Sequence, residues 1–201
     1  MGFYSISNSG NNKIVGHYNQ VINAIHHCDI WENPKFIDRI NFEKINFEPI
    51  TSNAILEKKA KLTDLINASS IGFSQKLLIS EKLKEILEKN SIDKCQFFQS
   101  PVIYKNEKIE SYFITLPFVF NMEYINFSDS IINVRVKKLE GGTEKKVLKI
   151  NSLVEFMKLQ NFHKEKEEII SINNINIYDN IDDDFFMLQY VEGGIKYIVY
   201  P

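Results

Sequence analysis

The strand signal of this chain is strongest in the segment QFFQSPVIYKNEKIESYFITL, residues 96–116. It contains three runs rich in aromatic and β-branched residues, which pack well on a pleated, half-buried surface: Gln96-Phe97-Phe98, Val102-Ile103-Tyr104 and Ser111–Leu116. Asn106-Glu107-Lys108 lies between the second and third runs and predicts a turn, so we expect these two runs to form a hairpin. The segment therefore predicts antiparallel sheet at the centre of the fold.

Further strand signals follow toward the C-terminus. The predicted strands are Phe118–Phe127, Ile131–Val136, Lys146–Ile150, Ile170–Ile177 with a break at Asn173-Asn174, Phe185–Val191 and Ile195–Tyr200. Gly141-Gly142 and Gly193-Gly194 each lie between two of these runs, as is typical of hairpin turns. The last two strands are therefore expected to form a terminal hairpin.

Helical patterns are fewer than strand patterns. Glu81–Lys89 carries Leu83, Ile86 and Leu87 on one face, with Ser80 as the N-cap. A second helix is predicted over Ser152–Phe162 with Ser152 as its cap, and a third, less regular one over Ala54–Asn67. The predicted fold class is α+β, a mostly antiparallel β-sheet with two or three helices packed on it.

The composition is that of an ordinary folded protein. Of the 201 residues, 44% are hydrophobic and 25% are charged, which argues against a disordered or fibrous chain. We expect a single domain over residues 1–201, with an α+β core in 71–201 and a less clearly assigned part in 1–70. The net charge of −2 gives no overall field that would attract nucleic acid or an acidic membrane.

No targeting or membrane-spanning segment is recognisable. Residues 1–7 lack the basic region and apolar run of a signal peptide, and no run approaches the ~18 apolar residues that span a bilayer. We therefore expect a cytoplasmic protein that binds neither membranes nor nucleic acid. Cys28 and Cys95 lie far apart in the sequence and are predicted to be buried, reduced thiols.

His26-His27-Cys28-Asp29 is the densest set of potential metal ligands. Neighbouring residues point about 100° apart on a helix and to opposite faces on a strand, so one ion cannot easily collect all four. Motifs of zinc proteases, serine hydrolases and nucleotide-binding proteins are missing from the sequence. We expect no catalytic residue, cofactor or metal, and retain as an alternative an enzyme built on His26, His27 and Asp29.

The sequence is most acidic at Asp179, Asp182, Asp183 and Asp184. Their spacing and the lack of a central glycine do not fit a calcium loop. The stretch is either a solvated turn before a strand or an acidic surface for a basic partner. In the second case Asp179, Asp182 and Asp183 are candidate partner contacts.

Two other features have both a structural and a functional interpretation. Trp31 is either a core residue, which we favour, or an interface anchor and thus a further candidate partner contact. Five lysines flank Gly141-Gly142: Lys137, Lys138, Lys145, Lys146 and Lys149. Because arginines and interleaved aromatics are lacking, we interpret this segment as a solvated hairpin rather than as a ribbon that binds nucleic acid.

Four segments of the sequence form a recognisable set: KLLISEKLKEIL (76–87), CQFFQSPV (95–102), DFFML (184–188) and IKYIV (195–199). Through them, two parts of the chain, 71–136 and 182–200, resemble a widespread bacterial family of immunity-type proteins from polymorphic toxin systems. The matched positions, which we interpret as fold-determining, are Ser80, Glu81, Leu83, Phe97, Phe98, Pro101 and Phe185. The resemblance implies a small cytosolic protein that binds and neutralises a cognate toxin without catalysis. We expect a monomer or weak homodimer, and a homo-oligomeric module built on exposed sheet edges or Trp31 is a further alternative.

Overall fold

The computed structural model describes residues 2–68, 76–90, 93–138 and 140–199. The chain divides into two compact units. The N-terminal unit is Ser5–Val119, and the C-terminal unit is Phe120–Pro201 together with Met1–Tyr4. The expectation of a single domain over 1–201, with its core in 71–201, stays a prediction.

The N-terminal unit contains two four-stranded sheets. Its elements are α1 (Asn12–Val15), β2 (Val21–Ile25), β3 (Asn53–Leu56), β4 (Leu65–Ile66), β5 (Leu78–Ser80), α2 (Glu81–Asn90), β6 (Cys95–Gln99), β7 (Val102–Tyr104), β8 (Glu107–Ile109) and β9 (Tyr112–Pro117). The strand orders are β2-β3-β7-β8 and β4-β5-β9-β6. The register is antiparallel in both sheets except between β3 and β7, which run parallel.

The C-terminal unit is built on a six-stranded sheet. Its elements are β10 (Ile131–Lys137), β11 (Thr143–Leu148), α3 (Leu153–Glu165), β12 (Ile169–Asn174), β13 (Phe185–Val191) and β14 (Gly194–Val199). With β1 (Tyr4–Ile6) at one edge, the strand order is β1-β14-β13-β12-β10-β11. The β12–β13 pair is parallel, whereas β10–β11, β10–β12 and β13–β14 are antiparallel. The α+β prediction with mostly antiparallel sheet is confirmed.

The hairpin predicted in the 96–116 segment forms differently from our expectation. β7 turns at Lys105 and Asn106, which have φ values of 51° and 69°, and pairs with the short strand β8. Two successive positive φ values make the tight turn that suits a two-residue hairpin, so the chain reverses before it reaches β9. β9 instead joins the other sheet, where it pairs with β5 and β6.

Two of the three predicted helices are present with their predicted caps. Ser80 Oγ accepts a hydrogen bond from Leu83 N at the start of α2, and Ser152 Oγ accepts one from Glu155 N at the start of α3. Leu87 of α2 is buried, whereas Ile86 is exposed, so the buried face is narrower than predicted. Each cap satisfies a backbone donor that the first helical turn leaves unpaired.

The third predicted helix, over Ala54–Asn67, is wrong. Most of β3 and all of β4 lie in this segment, and a turn at Lys58 and Lys59 lies between the two strands. Ala54 and Leu56 are both buried, which is the two-residue period of a strand, and β3 lies between β2 and β7. Pairing on both sides thus outweighs the weak local helix preference.

The strand predicted over Phe118–Phe127 is also wrong. Residues Met122–Tyr124 form a short 3₁₀ helix instead. Met122, Ile125 and Phe127 are buried in the core of the C-terminal unit, and this spacing is not the alternation of a strand.

The terminal hairpin and the turns at both glycine pairs are present, β12 ends at the predicted break, and β11 begins three residues before its predicted start.

Removing the Ser152 cap gives a direct check on α3. We expect Ser152→Ala to lower the free energy of unfolding by about 1 kcal/mol, because the N–H of Glu155 loses its acceptor. Chemical denaturation measures this change. Ser152→Thr keeps the hydroxyl and is expected to stay close to the wild type, so an equal loss in both variants would contradict the capping role.

Candidate functional site

Two separate segments form a cleft at one end of the C-terminal unit. The 3₁₀ helix Met122–Tyr124 supplies one wall, and the loop between β12 and β13 supplies the other. Tyr178 N donates to Tyr124 O at 3.0 Å, and Ile125 and Ile177 form an antiparallel bridge, so the two segments are held side by side. We call this cavity of about 390 Å³ the acidic cleft; it is lined by Glu123, Tyr124, Tyr178, Asn180, Ile181, Asp182 and Asp183.

Tyr124 is held in the acidic cleft by two contacts. Its hydroxyl donates to Asp183 Oδ2 at 2.6 Å, and its ring meets Phe186 edge to face with centroids 5.1 Å apart. Phe186 is buried in the core, so the ring is anchored there. The hydrogen bond to Asp183 is the main cause that raises the pKa of Tyr124 to about 12. The phenol therefore stays protonated and acts as a hydrogen-bond donor at neutral pH.

Asn121 lies directly behind this wall. Its Nδ2 donates to Glu123 Oε1 at 3.2 Å, and its backbone carbonyl oxygen accepts a hydrogen bond from Tyr124 N at 3.2 Å. Asn121 is only 8% exposed, and its Oδ1 has no hydrogen-bond partner among the described residues. A buried amide oxygen without a donor costs free energy, and Asn121 is not among the residues that line the acidic cleft.

The electrostatics of the acidic cleft favour a cation. Its lining contains three carboxylates, those of Glu123, Asp182 and Asp183, and neither lysine nor arginine. Two tyrosine rings stand beside these carboxylates, and aromatic faces also attract cations. This arrangement can bind and orient a positively charged group.

Two of the four acidic residues singled out in the sequence lie in the acidic cleft, and the other two lie outside its lining. Asp182 and Asp183 line the acidic cleft, whereas Asp179 and Asp184 are exposed outside its lining. Sequence analysis missed Glu123, Tyr124 and Tyr178 as site residues. The only local signal was the position of Tyr178 next to Asp179, because the pairing of the two walls depends on residues more than fifty positions apart.

Trp31 is not a core residue, so that prediction is wrong. Trp31 is 74% exposed to solvent. Asp29 Oδ1 accepts hydrogen bonds from the N–H groups of Trp31 and Glu32, and Arg39 donates to the carbonyl oxygen of Trp31. These bonds fix the turn while the neighbouring Ile30 packs against the core. The interpretation of Trp31 as an interface anchor stays a prediction.

The histidine cluster is not gathered into one site. His26 Nδ1 lies 2.7 Å from Ser52 Oγ, and Ser52 is fully buried, while Asp29 is engaged in the turn at Trp31. Within residues 2–68, 76–90, 93–138 and 140–199, no group of three or more His, Cys, Asp or Glu side chains could hold a metal ion. His26 and Ser52 do not form an accessible nucleophile and base, because the hydroxyl is enclosed.

The cysteines are free thiols, and the lysine-rich hairpin combines ion pairs with a second cavity of about 440 Å³ that lysines and glutamates line. Cys28 and Cys95 are free and half-buried, and burial raises the pKa of Cys95 to about 12, which disfavours its thiolate. Several lysines of the hairpin form ion pairs with glutamates: Lys137–Glu167, Lys145–Glu192 and Lys146–Glu144. Such pairs are typical of a solvated strand surface.

No helix in the described part of the chain combines the length and apolar character needed to cross a bilayer. Comparison with known proteins found no matching family model, no similar curated protein and no similar solved structure.

Proposed function

We propose that this protein is a non-catalytic binding protein that covers a basic surface of a partner protein, as an immunity protein covers its toxin. The observation that carries the proposal is the acidic cleft, with three carboxylates and two tyrosines and no cationic side chain in its lining. Complementary charge accelerates encounter with a basic partner, and tyrosine combines apolar area with a polar tip at interfaces. Binding would act by occlusion, without turnover.

The resemblance to immunity-type proteins supports the choice of a toxin as partner. Glu123 and Tyr124 fall in the first resembling part, 71–136, and Asp182 and Asp183 fall in the second, 182–200. A toxin that grips phosphate would present the basic surface that this cleft requires. We propose the cytoplasm as the place of action and a monomer or weak homodimer as the working form.

The test compares binding by variants of equal charge. The double variant Asp182→Asn/Asp183→Asn removes two carboxylates from the acidic cleft, and we expect the affinity for the product of a neighbouring toxin gene to fall by about 10-fold or more. The matched control, Asp184→Asn/Glu165→Gln, removes two exposed carboxylates outside the cleft lining. Surface plasmon resonance at two salt concentrations measures both, since added salt should also weaken binding.

Co-purification and rescue of cells that express the toxin complete the test. Rescue by the wild type and the control, but not by the cleft variant, would support the proposal. Failure of the wild type to bind or rescue against the neighbouring gene product would overturn it. An equal loss of affinity in the cleft variant and the control would overturn the assignment of the contact to the acidic cleft.

A further inference from the structure

We infer that β11, an edge strand of the six-stranded sheet, pairs with β11 of a second copy of this chain to form a reversible homodimer. The inference goes beyond the proposed function, because it names the surface and the register through which two copies associate, whether or not a toxin is bound. It depends on the free edge of β11 and on the order of charges along it.

One side of β11 is free to accept another strand. Thr143–Leu148 pair with β10, and no other described strand pairs with them. Four of these six residues are exposed and none is buried. An edge strand presents a row of unpaired N–H and C=O groups, which a strand of another molecule can satisfy. Val147, which is 74% exposed, adds apolar area that the incoming strand would partly cover.

The symmetry of a dimer restricts the register of this pairing. In a continuous antiparallel sheet a two-fold axis keeps every side chain on its own face, and side chains alternate between faces, so one residue must lie opposite its own copy. An axis at Lys145 places Glu144 of each copy opposite Lys146 of the other. No other axis position along β11 places glutamate opposite lysine within the strand. The charges therefore select one register.

The side chains of Glu144 and Lys146 are available for these contacts. They lie on the same face of β11 and form an ion pair with each other, with Lys146 Nζ 2.8 Å from Glu144 Oε1. The two side chains are 40% and 60% exposed. Two copies would bring four alternating charges together, and opposite charges directly across a pair of strands stabilise the pairing.

Lys145, which meets its own copy at the axis, does not oppose the contact. Its ammonium forms an ion pair with Glu192, the residue that follows β13. Because β10 and β12 lie between β11 and β13, this ammonium is directed away from the free edge. Its charge is balanced within its own chain, so the repulsion between the two copies is small.

The contact is small, so we expect a weak dimer. Stable interfaces use about 20–30 residues a side, whereas β11 supplies six. A dissociation constant of about 10 to 100 µM is expected for a contact of this size.

Analytical ultracentrifugation of the whole chain from about 5 to about 500 µM measures this self-association. We expect a reversible equilibrium between monomer and dimer. Hydrogen exchange should show that backbone amides in residues 143–148 become more protected as the protein concentration rises. A monomer over the whole range, or protection that rises elsewhere but not in β11, would overturn the inference.

Charge reversal tests the register. Glu144→Lys and Lys146→Glu each place like charges opposite one another at two positions, so each variant alone should dimerise about 10-fold more weakly. An equimolar mixture of the two variants restores opposite charges at both positions of a mixed dimer, and this dimer should form about as tightly as that of the wild type. A variant that merely misfolds would not be rescued in this way.

The matched control is Lys158→Glu, which makes the same change of net charge as Lys146→Glu at an exposed position of α3. It should leave the dissociation constant of the dimer unchanged. An equal loss in this control, or a mixture of the two β11 variants that stays monomeric, would show that the proposed register is wrong.

The dimer and the proposed function can fail separately. If the protein neutralises its toxin but stays monomeric at all concentrations, the β11 contact is wrong and the proposed function stands. If the protein dimerises through β11 but binds no neighbouring gene product, the contact stands and the proposed function is wrong.

Discussion

Replacing Gly16 with alanine is expected to lower the free energy of unfolding by about 3 kcal/mol. Gly16 ends α1 with a φ of 78°, a conformation that costs an L-residue free energy. A Cβ at this position would lie 2.1 Å from the carbonyl oxygen of Lys59 and 2.8 Å from the nitrogen of Lys61. Both neighbours are backbone atoms, and Lys61 N is held by its hydrogen bond to Val15 O, so neither can move aside cheaply.

Chemical denaturation of Gly16→Ala measures this loss. Gly10→Ala is the matched control, because nothing lies within 4 Å of a Cβ built there and no positive φ is involved. The control should stay within about 0.5 kcal/mol of the wild type. Similar stability of the two variants would show that the close approach of α1 to residues 59–61 is incorrect.

Replacing Lys76 with methionine is expected to lower the free energy of unfolding by about 3 kcal/mol at neutral pH. The Lys76 side chain is 3% exposed; its Nζ lies 3.9 Å from Asp38 Oδ1 and donates to Ile40 O at 3.3 Å. It also lies over the Phe42 ring, 5.1 Å from the centroid. Removal of this cation leaves the carboxylate of Asp38 in a largely buried place without its counter-charge.

The pH dependence of this variant follows from the titration of Asp38. Burial raises the pKa of Asp38 from 3.8 to about 6, and the nearby Lys76 opposes this rise. Because the folded pKa exceeds the unfolded one, the contribution of Asp38 to stability is full below pH 3.8 and is lost as the pH rises through 6. Without Lys76 the pKa rises further, so the variant should lose most relative to the wild type above pH 6 and least near pH 4.

The exposed pair Lys82–Asp64 provides the control for this prediction. Its Nζ and Oδ2 atoms are 3.5 Å apart, and both side chains are at least half exposed. Lys82→Met should change the free energy of unfolding by less than about 1 kcal/mol, because water solvates the carboxylate that remains. A loss in Lys76→Met that is independent of pH from 4 to 8 would contradict the role assigned to Asp38.

The strands and helix caps that depend on neighbouring residues could be predicted from the sequence. The runs at Val102–Tyr104 and Phe185–Val191 and the caps Ser80 and Ser152 have local signals, and each is present. The errors arise where distant pairing decides the conformation. Ala54–Asn67 becomes strand because β3 gains partners on both sides, and no local pattern reports those partners.

In the candidate site, too, local features could be predicted from the sequence and distant contacts could not. Asp182 and Asp183 could be singled out because acidic residues cluster in the sequence, but their juxtaposition with Tyr124 depends on the bridge between Ile125 and Ile177. The core prediction for Trp31 is wrong for a local reason. The Asp29 side chain accepts the hydrogen bond from Trp31 N and so stabilises the turn. Ile30, and not Trp31, packs against the core.

The C-terminal unit is discontinuous in sequence, and this has a kinetic consequence. Residues 1–4 belong with 120–201, and the rings of Phe3 and Phe186 meet edge to face 5.6 Å apart. The chain must close a very large loop before this contact can form, and such distant contacts slow folding more than local ones do. We therefore expect β1 to join the sheet late in refolding. The amide protons of the N-terminal residues should still exchange with solvent in folding intermediates in which the β13–β14 hairpin is already protected.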